Sequence, residues 1–299
     1  MTTPPQLIAT CWTTAGTAKP GGLTGRSPLP LEQRIAAAAR DGWSGFGIVH
    51  TDLQAFLERG SLPELRDMLA SHGITQLELE LVENWWTDDE RRPESDSVRR
   101  DLFTAAEALG AQTIKVGPET STRPVDPDRF AASFDALATE AAGHGTRVAL
   151  EFLPFATYAD SLAAGISLVT EVANPAGGLC VDIWHVARPG TDYAMIAESL
   201  PSEYLFSVEL NDAAAEPIGT LYEDTVHRRL LPGTGSFDVP AFINAVRATG
   251  YSGMWGVEIL SDHHRSLPLE QGLTEARLAT LACFAEADRQ QAARTHQAG

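Results

Sequence analysis

Eight short apolar runs, each followed by a stretch with helical spacing, limit what this chain can fold into more than any other feature. They fall at residues 7–11, 46–50, 75–80, 113–117, 147–152, 178–183, 204–210 and 253–259. Their nearly continuous aliphatic content suits parallel strands covered on both faces. The stretches between them, such as PLEQRIAAAARDG, LPELRDMLASHG, RRDLFTAAEALGA and DRFAASFDALATEAAGHG, place apolar residues three and four apart, and several end in Gly. The last residues of successive runs lie 27 to 49 positions apart, room enough for a βαβ unit, and no linker divides the series. The expected fold is α/β, a single (β/α)8 TIM barrel over residues 1–299 with its active site at the C-terminal ends of the strands. A doubly wound sheet would need fewer strands and commonly a Gly-rich phosphate turn after the first. Here the first strand leads into TTAGTAKPGGLTG, which lacks GxGxxG spacing and reads as a lid or mouth loop.

A barrel gathers its chemistry where strands end, and four carboxylates meet that demand. Glu151 closes VALE, Asp182 closes GLCVD, Glu209 lies in FSVEL and Glu258 in WGVEI, on four consecutive strands at one height. Uncompensated, they would repel one another and each would bear a large desolvation cost, which a divalent cation relieves. Glu151, Asp182, Glu209 and Glu258 are therefore the expected metal ligands. Four oxygen donors make a hard site, favouring Mn2+ first, then Mg2+, with Zn2+ less suited.

Other groups flank this set. His185, three residues after Asp182, is positioned to face a bound ligand, and Trp184 to wall the pocket. His50 and Lys115 fall at or near strand ends, and Arg228 lies in the seventh βα loop within TVHRRLLPGTG. With Trp184 and Glu80, these three are the expected substrate-binding residues; for Lys115 and Arg228 the alternative is an ion pair with the carboxylates. Glu78 and Glu80, two apart, share one strand face. Glu83 opens the next loop, and ENWW is expected to form an aromatic rim.

The stretches VALEFLPF, GLCVDIWHVAR, VELND and RRLLPGTGSFDVPAFINAVRATGYSGMWGVEIL resemble the xylose isomerase-like TIM barrel superfamily, the sugar phosphate isomerase/epimerase group. The resemblance spans essentially the whole barrel. It implies metal ligation by Glu151, Asp182 and Glu258, a substrate-contacting or catalytic role for His185, and a substrate-holding loop around Arg228. Many members carry His where this chain has Glu209. By the same resemblance, Glu151 and Glu258 act as a base and acid pair, with His185 the third catalytic residue. The implied reaction is metal-dependent isomerisation or epimerisation of a keto-sugar, polyol-derived ketone or cyclitol through an enediolate. The alternative is a lyase of the inosose or 3-dehydroshikimate dehydratase type, or one cleaving a keto-sugar from its aglycone. An apurinic-site endonuclease or a metal-free sugar-binding barrel stands further off.

Charge narrows the partners. Lys and Arg number 22 against 40 Asp and Glu, a net charge of −18, which repels phosphate backbones and anionic lipid. The expected partner is a small carbohydrate or cyclitol, not nucleic acid or membrane, with a homodimer or homotetramer possible within this group. The start, MTTPPQLIATCW, lacks the basic and apolar regions of a signal peptide, so the expected location is cytoplasmic. Cys11, Cys180 and Cys283 lack metal-ligand spacing and are expected to be reduced packing residues. The polar tail EADRQQAARTHQAG is expected to fray beyond a last helix.

Overall fold

A computed structural model describes residues 5–22 and 25–298. Eight parallel strands close into a barrel in chain order: β1 Leu7–Ala9, β2 Gly45–Val49, β3 Gln76–Val82, β4 Thr113–Val116, β5 Arg147–Glu151, β6 Gly177–Asp182, β7 Leu205–Leu210 and β8 Trp255–Val257. Every expected run holds a strand. β3 runs two residues further than expected, which puts Glu80 inside the strand. β1 pairs with β2 on one side and with β8 on the other, the contact that seals the barrel.

Alternation along the strands separates core from chemistry. Val148, Leu150, Leu179, Val181, Val208 and Leu210 are fully buried, and they alternate with Glu151, Cys180, Asp182, Ser207 and Glu209. The apolar set faces the helices; the polar set therefore faces the barrel axis. The helix Pro127–Gly143 shows how the outer layer is specified. Asp126 caps it by accepting from the backbone of Asp128 and Arg129, and Phe130, Phe134, Leu137, Ala138 and Ala141 form one buried stripe. Each of its two phenylalanines contributes about 1.5–3 kcal/mol through burial.

A buried ion pair fixes the start of the barrel. Arg34, fully buried on the helix Leu31–Asp41, pairs with Asp52 on the helix His50–Leu57. The same guanidinium donates to Thr14 Oγ1 at 2.9 Å and to the Cys11 carbonyl at 3.0 Å, while Asp52 accepts from the Ser27 backbone at 2.8 Å. The expected lid loop thus starts from a firm base. It opens with a short helix, Cys11–Thr14, and Lys19 Nζ lies 3.3 Å from His227 Nε2 on the seventh βα loop; Leu23 and Thr24 of this loop lie outside the described residues.

The last helix, Leu269–Ala298, runs on through the polar tail that was expected to fray. It packs against the helices Leu31–Asp41 and Val239–Ala248, with Arg277 Nε 3.0 Å from Asp41 Oδ2. All three cysteines are free and buried. Among the described residues, no helix is long and apolar enough to cross a membrane.

Candidate active site

Glu151, Asp182, Glu209 and Glu258 converge as the sequence suggests: one carboxylate oxygen from each lies within 4.8 Å of the others. Strand register does this. Asp182 lies opposite Glu209, and Glu209 opposite Gly256 two residues before Glu258, so the acids of β6, β7 and the end of β8 share one face at neighbouring heights. Gly256 also makes the room, since a Cβ there would fall 2.9 Å from Glu209 Cγ.

These carboxylates are not left uncompensated, contrary to the sequence argument. Lys115, fully buried on β4, brings its Nζ to 2.9 Å from Glu209 Oε1, 2.9 Å from Glu80 Oε2 and 3.2 Å from Glu258 Oε1. Glu78 and Glu151 each approach it to 3.8 Å. Of the two readings open for Lys115, the geometry gives the ion pair. A second buried cation, Arg229, lies 2.5 Å from Asp182 Oδ2 and 3.0 Å from Glu258 Oε2. The seventh loop therefore delivers Arg229 to the carboxylates, whereas Arg228, the residue expected there, is exposed.

Other expected positions move as well. His50 places Nε2 2.9 Å from Asp101 Oδ2, a partner in the helix Arg92–Leu109. Its strand explains this: Val49 pairs with the inward Glu80, so the next residue starts out on the opposite side. Trp85 and Trp86 form no exposed rim; both are buried against Phe130, and Trp85 Nε1 donates to the Gly117 carbonyl at 3.0 Å. Trp184 is fully buried, with its ring 5.3 Å from that of His185 and 6.0 Å from the Arg229 guanidinium, and so walls no open pocket. Phe155 supplies an aromatic group 6.5 Å from the His185 ring in their stead and is itself 5.8 Å from Tyr222. Nothing in the sequence marked that pair.

His185 Nε2 lies 3.1 Å from Glu151 Oε1, and its Nδ1 has no partner. Asp182 accepts from the Trp184 backbone at 2.6 Å and from Asn211 Nδ2 at 2.9 Å, which fixes its orientation. Electrostatics separates Glu151 from Glu258. Burial alone would raise Glu151, but Lys115, His185 and Arg229 outweigh it and hold the group down to about 2. Burial pushes Glu258 up to about 8, with Glu151 and Glu80 adding to the rise and Lys115 and Arg229 opposing it. Burial and the neighbouring Glu258 also push Glu209 well above the usual carboxylate range.

The donor set suits a divalent ion. Six carboxylates, from Glu78, Glu80, Glu151, Asp182, Glu209 and Glu258, face two permanent cations, and Glu209 Oε2 is buried with no hydrogen-bond partner. A bound cation would offset the surplus negative charge and take up that lone pair.

Comparisons with known proteins agree with this architecture. Residues 35–281 match the family described as xylose isomerase-like TIM barrel. The 3-dehydroshikimate dehydratase of Pseudomonas putida is 26% identical over 248 residues, which cover 82% of this chain and 38% of that protein. The chain thus spans under two fifths of that relative's length. The inosose isomerase of Bacillus velezensis is 23% identical over 258 residues, covering 84% of this chain and 90% of that protein. Among solved structures, the IolI protein with a bound zinc atom superimposes with a TM-score of 0.81 at 21% identity, over 94% of this chain and 99% of that one. An L-ribulose 3-epimerase gives a TM-score of 0.73 at 14% identity, over 97% of each chain.

Proposed function

Because this chain belongs to the xylose isomerase-like TIM barrel family, we propose that it is a divalent-metal-dependent isomerase or epimerase of a keto-sugar, polyol-derived ketone or cyclitol. The observation that carries this reading is the convergence of four buried carboxylates, Glu151, Asp182, Glu209 and Glu258, each with an oxygen within 4.8 Å of the others where the barrel strands end. Among them Glu151, on β5, and Glu258, at the end of β8, are the two groups assigned to take a proton and to return one. Glu151, Asp182, Glu209 and Glu258 hold the ion, whose contribution when bound is Lewis acidity toward vicinal oxygens of the substrate.

The protein's own groups do the rest. Glu151 takes the proton from the carbon beside the ketone, while His185, 3.1 Å away, keeps that carboxylate oriented. Glu258, recharged with a proton from solvent, returns it to the neighbouring carbon while the hydroxyl proton passes to the former carbonyl oxygen, or returns it to the opposite face of the original carbon, giving isomerisation or epimerisation respectively. Arg229, bonded to both Asp182 and Glu258, holds these two in register. Oxygen donors throughout favour Mn2+ or Mg2+, although the IolI structure carries zinc.

A dehydratase is the second reading, favoured by the free Nδ1 of His185 and by the dehydratases among the relatives. In that case His185 protonates a leaving hydroxyl after Glu151 has removed the proton. Proton NMR in D2O with the Mn2+-loaded protein decides between the two, using keto-sugars, keto-inositols and 3-dehydroshikimate. Deuterium entering an intact carbon skeleton supports isomerisation or epimerisation. Loss of water supports elimination, and no exchange or turnover with any of these substrates sinks both.

Metal binding should also depend on pH in a defined direction. The carboxyl group of Glu258, at about 8 without metal, must give up its proton to become a ligand. Glu209, pushed well above the usual carboxylate range, must do the same, so affinity for Mn2+ is expected to rise by at least about tenfold per pH unit between roughly pH 6 and 8. Calorimetry in buffers of differing ionisation enthalpy should register the proton released. An affinity flat across this range would remove Glu258 from the ligand set.

A further inference from the structure

The barrel centre contains more acid than one metal ion needs. Glu78 and Glu80 lie below the four converging carboxylates, on the same face of β3, and are 3% exposed each. Lys115 Nζ stands between the two tiers, within 3.2 Å of Glu80, Glu209 and Glu258 and 3.8 Å of Glu78. Five carboxylates within 4 Å surround this one ammonium group. Glu78 Oε1, Glu80 Oε1 and Glu209 Oε2 are buried and accept no hydrogen bond. Such a cage has the composition of a two-ion site in which one position is filled by a side chain.

We infer that Lys115 acts as a tethered second cation, restricting the cage to one divalent ion, and that removing its ammonium opens a second divalent-ion site formed by Glu78, Glu80, Glu209 and Glu258. The inference rests on the metal reading above and adds the reason for a single ion. A tethered ammonium satisfies the inner acids at fixed charge and cannot dissociate. A second free ion at that position would carry one more positive charge and bind without the geometric constraint of the lysine stem.

The test is the number of Mn2+ ions bound per chain, read by electron paramagnetic resonance titration and by elemental analysis after gel filtration. The wild type is expected to bind one and Lys115→Ala two, with the paired ions broadening each other's resonance. A folded Lys115→Ala protein that binds one ion overturns the inference and leaves the metal reading standing; a wild type that binds two overturns it as well. A wild type that binds none defeats both. If Lys115→Ala folds only with metal, the slope of its unfolding free energy against ln[Mn2+] counts the ions, and should be twice that of the wild type. A variant still unfolded at about 10 mM Mn2+ also overturns the inference, because the added ions should replace the lost charge.

Discussion

Exchange of Glu258 for Gln will lower turnover by about 10²–10⁴-fold and yet raise the melting temperature of the metal-free protein. Both effects come from one carboxyl group. In the unfolded chain Glu258 ionises near the ordinary glutamate value of 4.5, whereas burial raises it to about 8 in the barrel. As pH rises above 4.5 the unfolded state releases this proton while the folded state retains it, so Glu258 costs stability that grows until the pH passes 8. Gln imitates the protonated group and removes the cost. Glu151→Gln should lose activity as severely and shift stability the opposite way. The Glu151 carboxylate is held at about 2, so its charge stabilises the fold above 4.5, and that contribution fades as pH falls toward 2. Thermal melts of both metal-free variants at pH 7, beside turnover assays, provide the check. Melting shifts of the same sign would show that the charges around these two buried carboxyl groups do not set them apart.

Arg34→Met should be the most destabilising single exchange away from the site, at about 3–5 kcal/mol. It strands Asp52, 4% exposed, without its cation, and removes bonds to Thr14 and the Cys11 carbonyl. Charge burial, not loss of a favourable pair, is the dominant cost, so Arg34→Met combined with Asp52→Leu should recover much of the loss. Urea unfolding measures both. A single-variant loss below about 1 kcal/mol would place the pair among ordinary surface contacts.

The barrel was legible because period and spacing belong to the chain itself. The eight apolar runs could be counted, and Glu151, Asp182, Glu209 and Glu258 could be aligned by their places at strand ends. The errors arose where the regular pattern stops. Arg228 and Arg229 are adjacent, and in a loop no alternation tells which one turns inward; the bonds to Asp182 and Glu258 select Arg229. His50 fell to the same ambiguity one residue past Val49. The role of Lys115 depended on distance across the barrel, since all five of its acidic partners come from β3, β5 and β7 and from the end of β8 at sequence separations that no local pattern encodes. Trp85 and Trp86 were read as a rim because aromatic residues after a strand look alike whether they meet a ligand or the next helix; Phe130 decides it here.

The pairing of β1 with β8 has a consequence for how the chain is made. Leu7 meets Trp255 and Ala9 meets Val257, so the first strand's second partner is synthesised long after the strand itself. At about 5–20 residues per second, β1 waits on the order of ten seconds to a minute with one edge open after leaving the ribosome. Its brevity, three residues, then acquires a purpose: a short edge offers a passing strand little to pair with before the ring can close.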